Sequence, residues 1–140
     1  MKIRTAHSGD AAAIASLMTQ LGYPQDVAIT SQRLAASGDH GHVVFVADDD
    51  DAIVGCIQVG ALATLESDPF AQILALVVDE NARGKRVGAQ LVAAAVAWAK
   101  EHGYAKLRVR VNVVRKDAHR FYEREGFRQL KEQRVYVRET

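Results

Sequence analysis

The residues best able to do chemistry stand in one run, Val77-Val78-Asp79-Glu80-Asn81-Ala82-Arg83-Gly84-Lys85-Arg86-Val87-Gly88-Ala89. It leads from an apolar strand-like stretch through a basic, glycine-bearing turn into a helix-like one. That order of elements suits an anion. A helix leaves the N–H groups of its first turn unpaired, and its dipole places positive potential at the same point. Gly84 and Gly88 let a phosphate approach the main chain, while Lys85 and Arg86 supply charge around it. The run lacks the Lys-Ser/Thr ending of a P-loop and the glycine spacing of a dinucleotide fingerprint, which argues against nucleotide hydrolysis and hydride transfer. Taken alone, a basic strand-to-helix turn whose glycines serve only packing is an equal reading.

Other reactive side chains carry less. Cys56, between Gly55 and Ile57, has no adjacent base and reads as a packed thiol rather than a nucleophile. A single cysteine also excludes an internal disulfide framework and any multi-cysteine metal site. His40 and His42 flank a glycine without a third ligand at a useful spacing, so no metal is expected. His119 reads as a surface histidine, and the Asp48–Asp51 run as a solvated hairpin turn.

These residues need elements to position them. Lys2–Ala6 alternates as a first strand, and Ser8 or Asp10 can cap a helix whose apolar Ile14, Leu17, Met18 and Leu21 follow helical spacing until Gly22 and Pro24. A second helix is expected from about Asp26 to Ser37. Val43–Ala47 and Ile53–Leu62 read as an antiparallel hairpin, and Ala71–Val78 as a buried strand. After the basic turn, Val87, Leu91, Ala94, Ala95 and Trp98 form one stripe of a long helix closed near Gly103. A strand at Lys106–Val113, a short helix at Asp117–Glu125 and a last alternating strand at Gln133–Arg138 complete the chain. With 140 residues, 49% of them apolar and 25% charged, the chain fits a single domain over 1–140 with a mixed α/β (α+β) sheet.

Net charge is +1, but residues 1–82 hold three basic and eleven acidic side chains, and residues 83–140 fifteen basic and six acidic. The second half suits an anionic ligand: nucleic acid, a membrane surface or a phosphorylated cofactor. No apolar stretch approaches the roughly 20 residues of a transmembrane helix, and Met1-Lys2-Ile3-Arg4 does not open a signal peptide, so a reducing cytoplasm is the expected location.

The loop, the segment ending at Asn112, and Ala118-His119-Arg120-Phe121-Tyr122-Glu123-Arg124-Glu125-Gly126-Phe127 together resemble the GCN5-related N-acetyltransferase (GNAT) superfamily. The likeness covers the order of elements over nearly the whole chain and is specific from about Gln72 to Phe127. It implies a mixed, mostly antiparallel sheet of 6–7 strands with about four helices. The family's loop pattern, Gln/Arg-x-x-Gly-x-Gly/Ala, holds the pyrophosphate of coenzyme A. Arg83, Gly88 and Ala89 match it, Arg86 replaces its first glycine, and Gly84, Lys85 and Val87 complete the loop. The resemblance implies further that Leu76, Val77 and Val78 meet the pantetheine arm through their main chain. It makes Tyr122 the general acid that protonates the departing thiolate. The implied cofactor is acetyl-CoA, as co-substrate.

The chain departs from the family at the base. Gln72 occupies the strand position where several protein-modifying members carry a glutamate, and Glu66, Asp68, Asp79 and Glu80 are the alternatives, Glu66 being preferred. Arg115 replaces a frequent asparagine. It and Asn112 are candidates for cofactor contact, Asn112 equally for ending its strand. The expected activity is acetyl transfer to an amine of a small molecule or peptide, without nucleic acid or membrane partners. A polycationic acceptor would suit the acidic half. A non-catalytic CoA-binding sensor is the alternative, and a nucleic-acid-binding domain a third reading. A homodimer, with the final strand adding to a partner's sheet, is left open.

Overall fold

Alternation and turn chemistry build a sheet first, and helices then cover its two faces. In a computed structural model that describes all of residues 1–140, the chain forms two compact units, residues 1–109 and 110–140. The first unit holds strands β1 (Lys2–Thr5), β2 (Val43–Asp49), β3 (Ala52–Leu62), β4 (Phe70–Val78) and β5 (Leu107–Val109). Its helices are α1 (Ala11–Leu21), α2 (Val27–Asp39) and α3 (Val87–Glu101). The strands lie in the order β1-β2-β3-β4-β5, antiparallel except for the parallel pair β4–β5. The second unit holds α4 (Lys116–Arg124).

Period-two alternation on β3 sends neighbouring side chains to opposite layers. Cys56 joins a buried cluster with Ile14 and Leu17 of α1, Val46 and Val77. Gly55 faces the other way: a β-carbon there would lie 3.0 Å from Val87 Cγ1 and 3.1 Å from Leu91 Cδ1, so the missing side chain is what lets α3 close onto the sheet. Val87, Leu91, Val92, Ala95 and Ala99 are the buried stripe of α3. Trp98, expected in that stripe, is only half-buried and stacks on His102 and Tyr104 at centroid distances of 4.4 and 5.9 Å.

The structure corrects three expectations. The sheet has five strands, not 6–7, because residues 110–140 contain no strand and Gln133–Arg138 pairs with nothing. The strand expected at Lys106–Val113 ends at Val109. Alternation identifies residues able to form a strand, but a ladder also needs a neighbour. Asp10 precedes α1 without capping it by its side chain. Its carboxylate is taken by Arg4, and His7 caps the 3₁₀ turn Ser8–Asp10 instead.

Candidate active site

β4 ends where the chemistry is expected to begin. Leu74 has no partner across the β3–β4 ladder, since Gln58 pairs with Ala75 and Val59 with Ile73, so β4 carries a bulge there. Beyond it, Asp79 N–H bonds to Val54 C=O, and strand alternation then turns the main-chain groups of Leu76 and Val78 away from β3. On that side β5 pairs only with Ala71–Ile73. The polar main chain of Leu76 and Val78 therefore has no partner on β3 or β5, whereas that of Val77 is spent on β3, and the Val77 side chain is core.

The turn after β4 is built by hydrogen bonds the sequence did not announce. Asp79 Oδ1 accepts from Asn81 N–H at 2.8 Å, and Gln20 at the end of α1 donates to Asp79 Oδ2 at 3.1 Å and accepts from Glu80 N–H at 3.1 Å. These bonds, with a smaller pull from Arg83, hold the Asp79 carboxyl below its ordinary value, so Asp79 is a structural acceptor and a poor base. No sequence pattern links Gln20 to a turn 59 residues away.

Arg83, Gly84, Lys85 and Arg86 are all exposed. Gly84 has φ +87° and Arg86 φ +61°, so the loop twice takes the left-handed backbone before α3. Arg86 thus adopts, in the position of a family glycine, the conformation that favours glycine. The first main-chain bond of α3 is Gln90 N–H to Arg86 C=O, and no side chain caps the helix, which leaves the N–H groups of Val87, Gly88 and Ala89 without partners inside it. Replacing Arg86 by glycine is expected to raise unfolding stability by about 1 kcal/mol in urea denaturation, by relieving the left-handed strain.

Glu66 is exposed in the turn between β3 and β4, at the opposite end of β4 from Leu76–Val78. Gln72 is buried at 8% exposure, in register with Gly60 on β3 and Arg108 on β5. Sequence reading missed Arg108. Its guanidinium carbon sits 3.9 Å above the Phe70 ring centroid, and its Nε–H is buried without an acceptor. The only hint was its place in an alternating basic stretch.

In the second unit, Asn112 lies three residues past the end of β5 and makes a turn: its Oδ1 accepts from Val114 N–H at 3.1 Å and its C=O from Arg115 N–H at 3.0 Å. His119 Nε2 lies 3.0 Å from the same carbonyl, a contact that requires the proton on that nitrogen. Arg115, exposed, precedes α4, and its side chain caps nothing. Tyr122 packs edge-on against Phe121 and Phe127 at 5.1 and 5.4 Å. Its burial pushes the hydroxyl above the ordinary 10.0, against a weaker pull from Arg115, so the phenol carries its proton at neutral pH.

Burial pushes the Cys56 thiol up to about 12, which agrees with a packed side chain. No group of three or more His, Cys, Asp or Glu is placed to hold a metal, and no helix is long and apolar enough to cross a membrane.

The acetyltransferase (GNAT) family model matches residues 12–127, and the chain belongs to that family. An aminoalkylphosphonate N-acetyltransferase of Salmonella typhimurium is 43% identical over 60 residues, 43% of this chain and 39% of the relative, so the match spans well under half of either protein. Among solved structures, a transcriptional regulator from Bacillus halodurans C-125 has a TM-score of 0.82 at 26% identity, covering 97% of this chain and 98% of that one. Aminoglycoside N-acetyltransferase AAC(6')-Iy, in complex with CoA, has a TM-score of 0.82 at 17% identity, covering 99% and 100%, a likeness of fold.

Proposed function

We propose that this acetyltransferase moves an acetyl group from acetyl-CoA to an amine by direct attack, with no covalent enzyme intermediate. The observation that carries the reading is the uncapped start of α3, entered through two left-handed residues and following directly on the open main chain of Leu76 and Val78. In this reading the amides of Val87, Gly88 and Ala89 receive the pyrophosphate, with Arg83, Gly84, Lys85 and Arg86 forming the loop around it and Arg115 and Asn112 as further contacts. Leu76 and Val78 hold the pantetheine arm and the acetyl carbonyl. Glu66, at the far end of β4 from the acetyl group, is out of reach of the amine, so the amine gives its proton to solvent water, attacks the thioester carbon, and the carbon–sulfur bond breaks as Tyr122 gives its proton to sulfur. The CoA bound to the AAC(6')-Iy structure supports the donor. Reaction in the cytoplasm follows from acetyl-CoA being the donor.

Two features bear on the acceptor. Residues 1–82 carry three basic against eleven acidic side chains and favour a cationic amine, while the unmatched Arg108 Nε–H calls for an anionic oxygen. A zwitterion, an amine with an acidic group at its far end, satisfies both, and the aminoalkylphosphonate of the Salmonella relative's name is such a molecule. Arg108→Met is then expected to raise KM for aminoalkylphosphonates about tenfold, the loss of one charge-assisted hydrogen bond, with KM for uncharged amines unchanged. Initial-rate assays of thiol release check this.

The reading as a whole is tested by titrating the protein calorimetrically with acetyl-CoA, CoA and ATP. Stoichiometric micromolar binding of both CoA forms and not ATP is expected. Absence of binding by either CoA form overturns the loop assignment and the function with it.

A further inference from the structure

The space that a side chain would fill at Gly60 of β3 is taken by a residue from elsewhere. A β-carbon there would lie 2.5 Å from Cδ2 and 2.7 Å from Nε2 of His42, so the imidazole of the residue just before β2 lies flat over β3. Its other nitrogen is already engaged. The Gln58 carboxamide nitrogen donates to Ser37 Oγ of α2 at 3.2 Å and stands 3.5 Å from His42 Nδ1. A carboxamide NH2 donates and does not accept, so Nδ1 faces it as the acceptor, and the proton of the neutral ring sits on Nε2.

The strand register shows what that Nε2–H stands beside. Gly60 pairs with Gln72 and Gln72 with Arg108, so the three positions form one row across β3, β4 and β5 on a single face of the sheet. Gln72 is 8% exposed. Arg108 lies over Phe70, two residues before Gln72 and on the same face, and its Nε–H is buried without an acceptor. The row therefore holds an N–H donor at each end, a buried carboxamide between them, and no carboxylate at any of its positions. All of these residues belong to the first unit, 1–109.

We propose that His42 is the second donor to the acidic group of the acceptor. The oxyanion lies over Gln72, accepting from Arg108 Nε–H on one side and from His42 Nε2–H on the other. The ends of the row are two strand spacings apart, about 10 Å at the backbone, so the group has to offer oxygens in opposed directions. The three oxygens of a phosphonate or phosphate do this, whereas the two of a carboxylate spread from one side of a single carbon. Gly60 takes part by lacking a side chain, since any β-carbon would displace the imidazole from the row. The inference rests on the zwitterionic acceptor of the reading above, but it concerns binding and does not require that acetyl transfer take place.

The test is calorimetric titration of the full chain with aminoethylphosphonate and with β-alanine, the carboxylate of the same length. The wild type is expected to bind the phosphonate at least tenfold more tightly. His42→Ala is expected to weaken phosphonate binding about tenfold, the loss of one charge-assisted hydrogen bond, and His42→Gln, which keeps an N–H donor of similar reach, to recover most of it. Gly60→Ala, which keeps His42 but displaces its ring, is expected to match His42→Ala, with melting temperatures reporting whether each variant folds. A wild type that binds neither compound, or that binds both equally, overturns the proposal. So does a folded His42→Ala that binds the phosphonate as the wild type does. Failure of acetyl-CoA to bind, with the phosphonate results as expected, would instead remove the acetyl-transfer reading and leave this site standing.

Discussion

Tyr122→Phe is expected to lower kcat for acetyl transfer by 10²–10⁴-fold, roughly the range of a lost general acid, while calorimetry gives an unchanged Kd for acetyl-CoA. The substitution removes one oxygen and keeps the ring that packs on Phe121 and Phe127, so the fold around α4 has no reason to change. In the proposed mechanism, what is lost is the proton that the departing sulfur takes. The pH profile separates this role from a packing role. Burial sets the Tyr122 hydroxyl above 10.0, so the acid form, which is the active one, persists through neutrality and is lost only as pH rises beyond that value. The wild-type rate therefore shows no fall assignable to Tyr122 below pH 10, and the residual rate of the variant shows no such limb above it. Equal kcat in the two proteins would remove Tyr122 from the mechanism. Binding of acetyl-CoA without turnover of any amine by the wild type would favour the non-catalytic sensor instead.

The second large effect concerns stability. Asp10 is 4% exposed, and both its oxygens accept from Arg4 at 2.9 Å, with His7 N–H adding a third bond at 2.9 Å. Arg4 Nε also reaches Asp48 at 3.0 Å, so one guanidinium ties β1 to β2 and to the start of α1. Removing one partner of a buried pair leaves the other uncompensated. Asp10→Asn is expected to lower the unfolding free energy by about 2–3 kcal/mol, since Arg4 keeps some contact with water. That corresponds to a fall of about 8 °C in Tm, read by calorimetry at pH 7. The Arg4 hydrogen bonds hold both the Asp10 and Asp48 carboxyls below their ordinary 3.8. A carboxylate lowered in the folded state stabilises fully above its unfolded pKa and ceases to do so as pH falls through the folded value. Wild-type stability should thus be flat above about pH 5 and decline below pH 4, and the Asp10→Asn variant should start lower and decline less.

Local pattern was enough for most of the elements. The bounds of α2, β3, β4 and α4 lie within two residues of those that capping, turn residues and periodicity predict, because each signal acts over a few neighbouring positions. The family likeness rested in the same way on short contiguous runs, and the family match over 12–127 agrees with it. Which nitrogen or oxygen was already spent was not legible. Asp79 read as a candidate base until Gln20, 59 residues earlier, engaged its carboxylate, and Asp10 read as a helix cap until Arg4 took its carboxylate. Arg86 read as a departure from a glycine motif, and only its φ of +61° gave that departure a cost.

What the amino-acid sequence determined by itself was the order of elements and the basic strand-to-helix turn, since those depend on residue type and short spacing. What only the tertiary structure decided was where strands stop. Lys106–Val113 and Gln133–Arg138 carry the alternation of strands, yet one is cut to three residues and the other is unpaired. A helix closes its hydrogen bonds within its own segment, whereas a strand must borrow them from a neighbour, and the neighbour is written elsewhere in the chain.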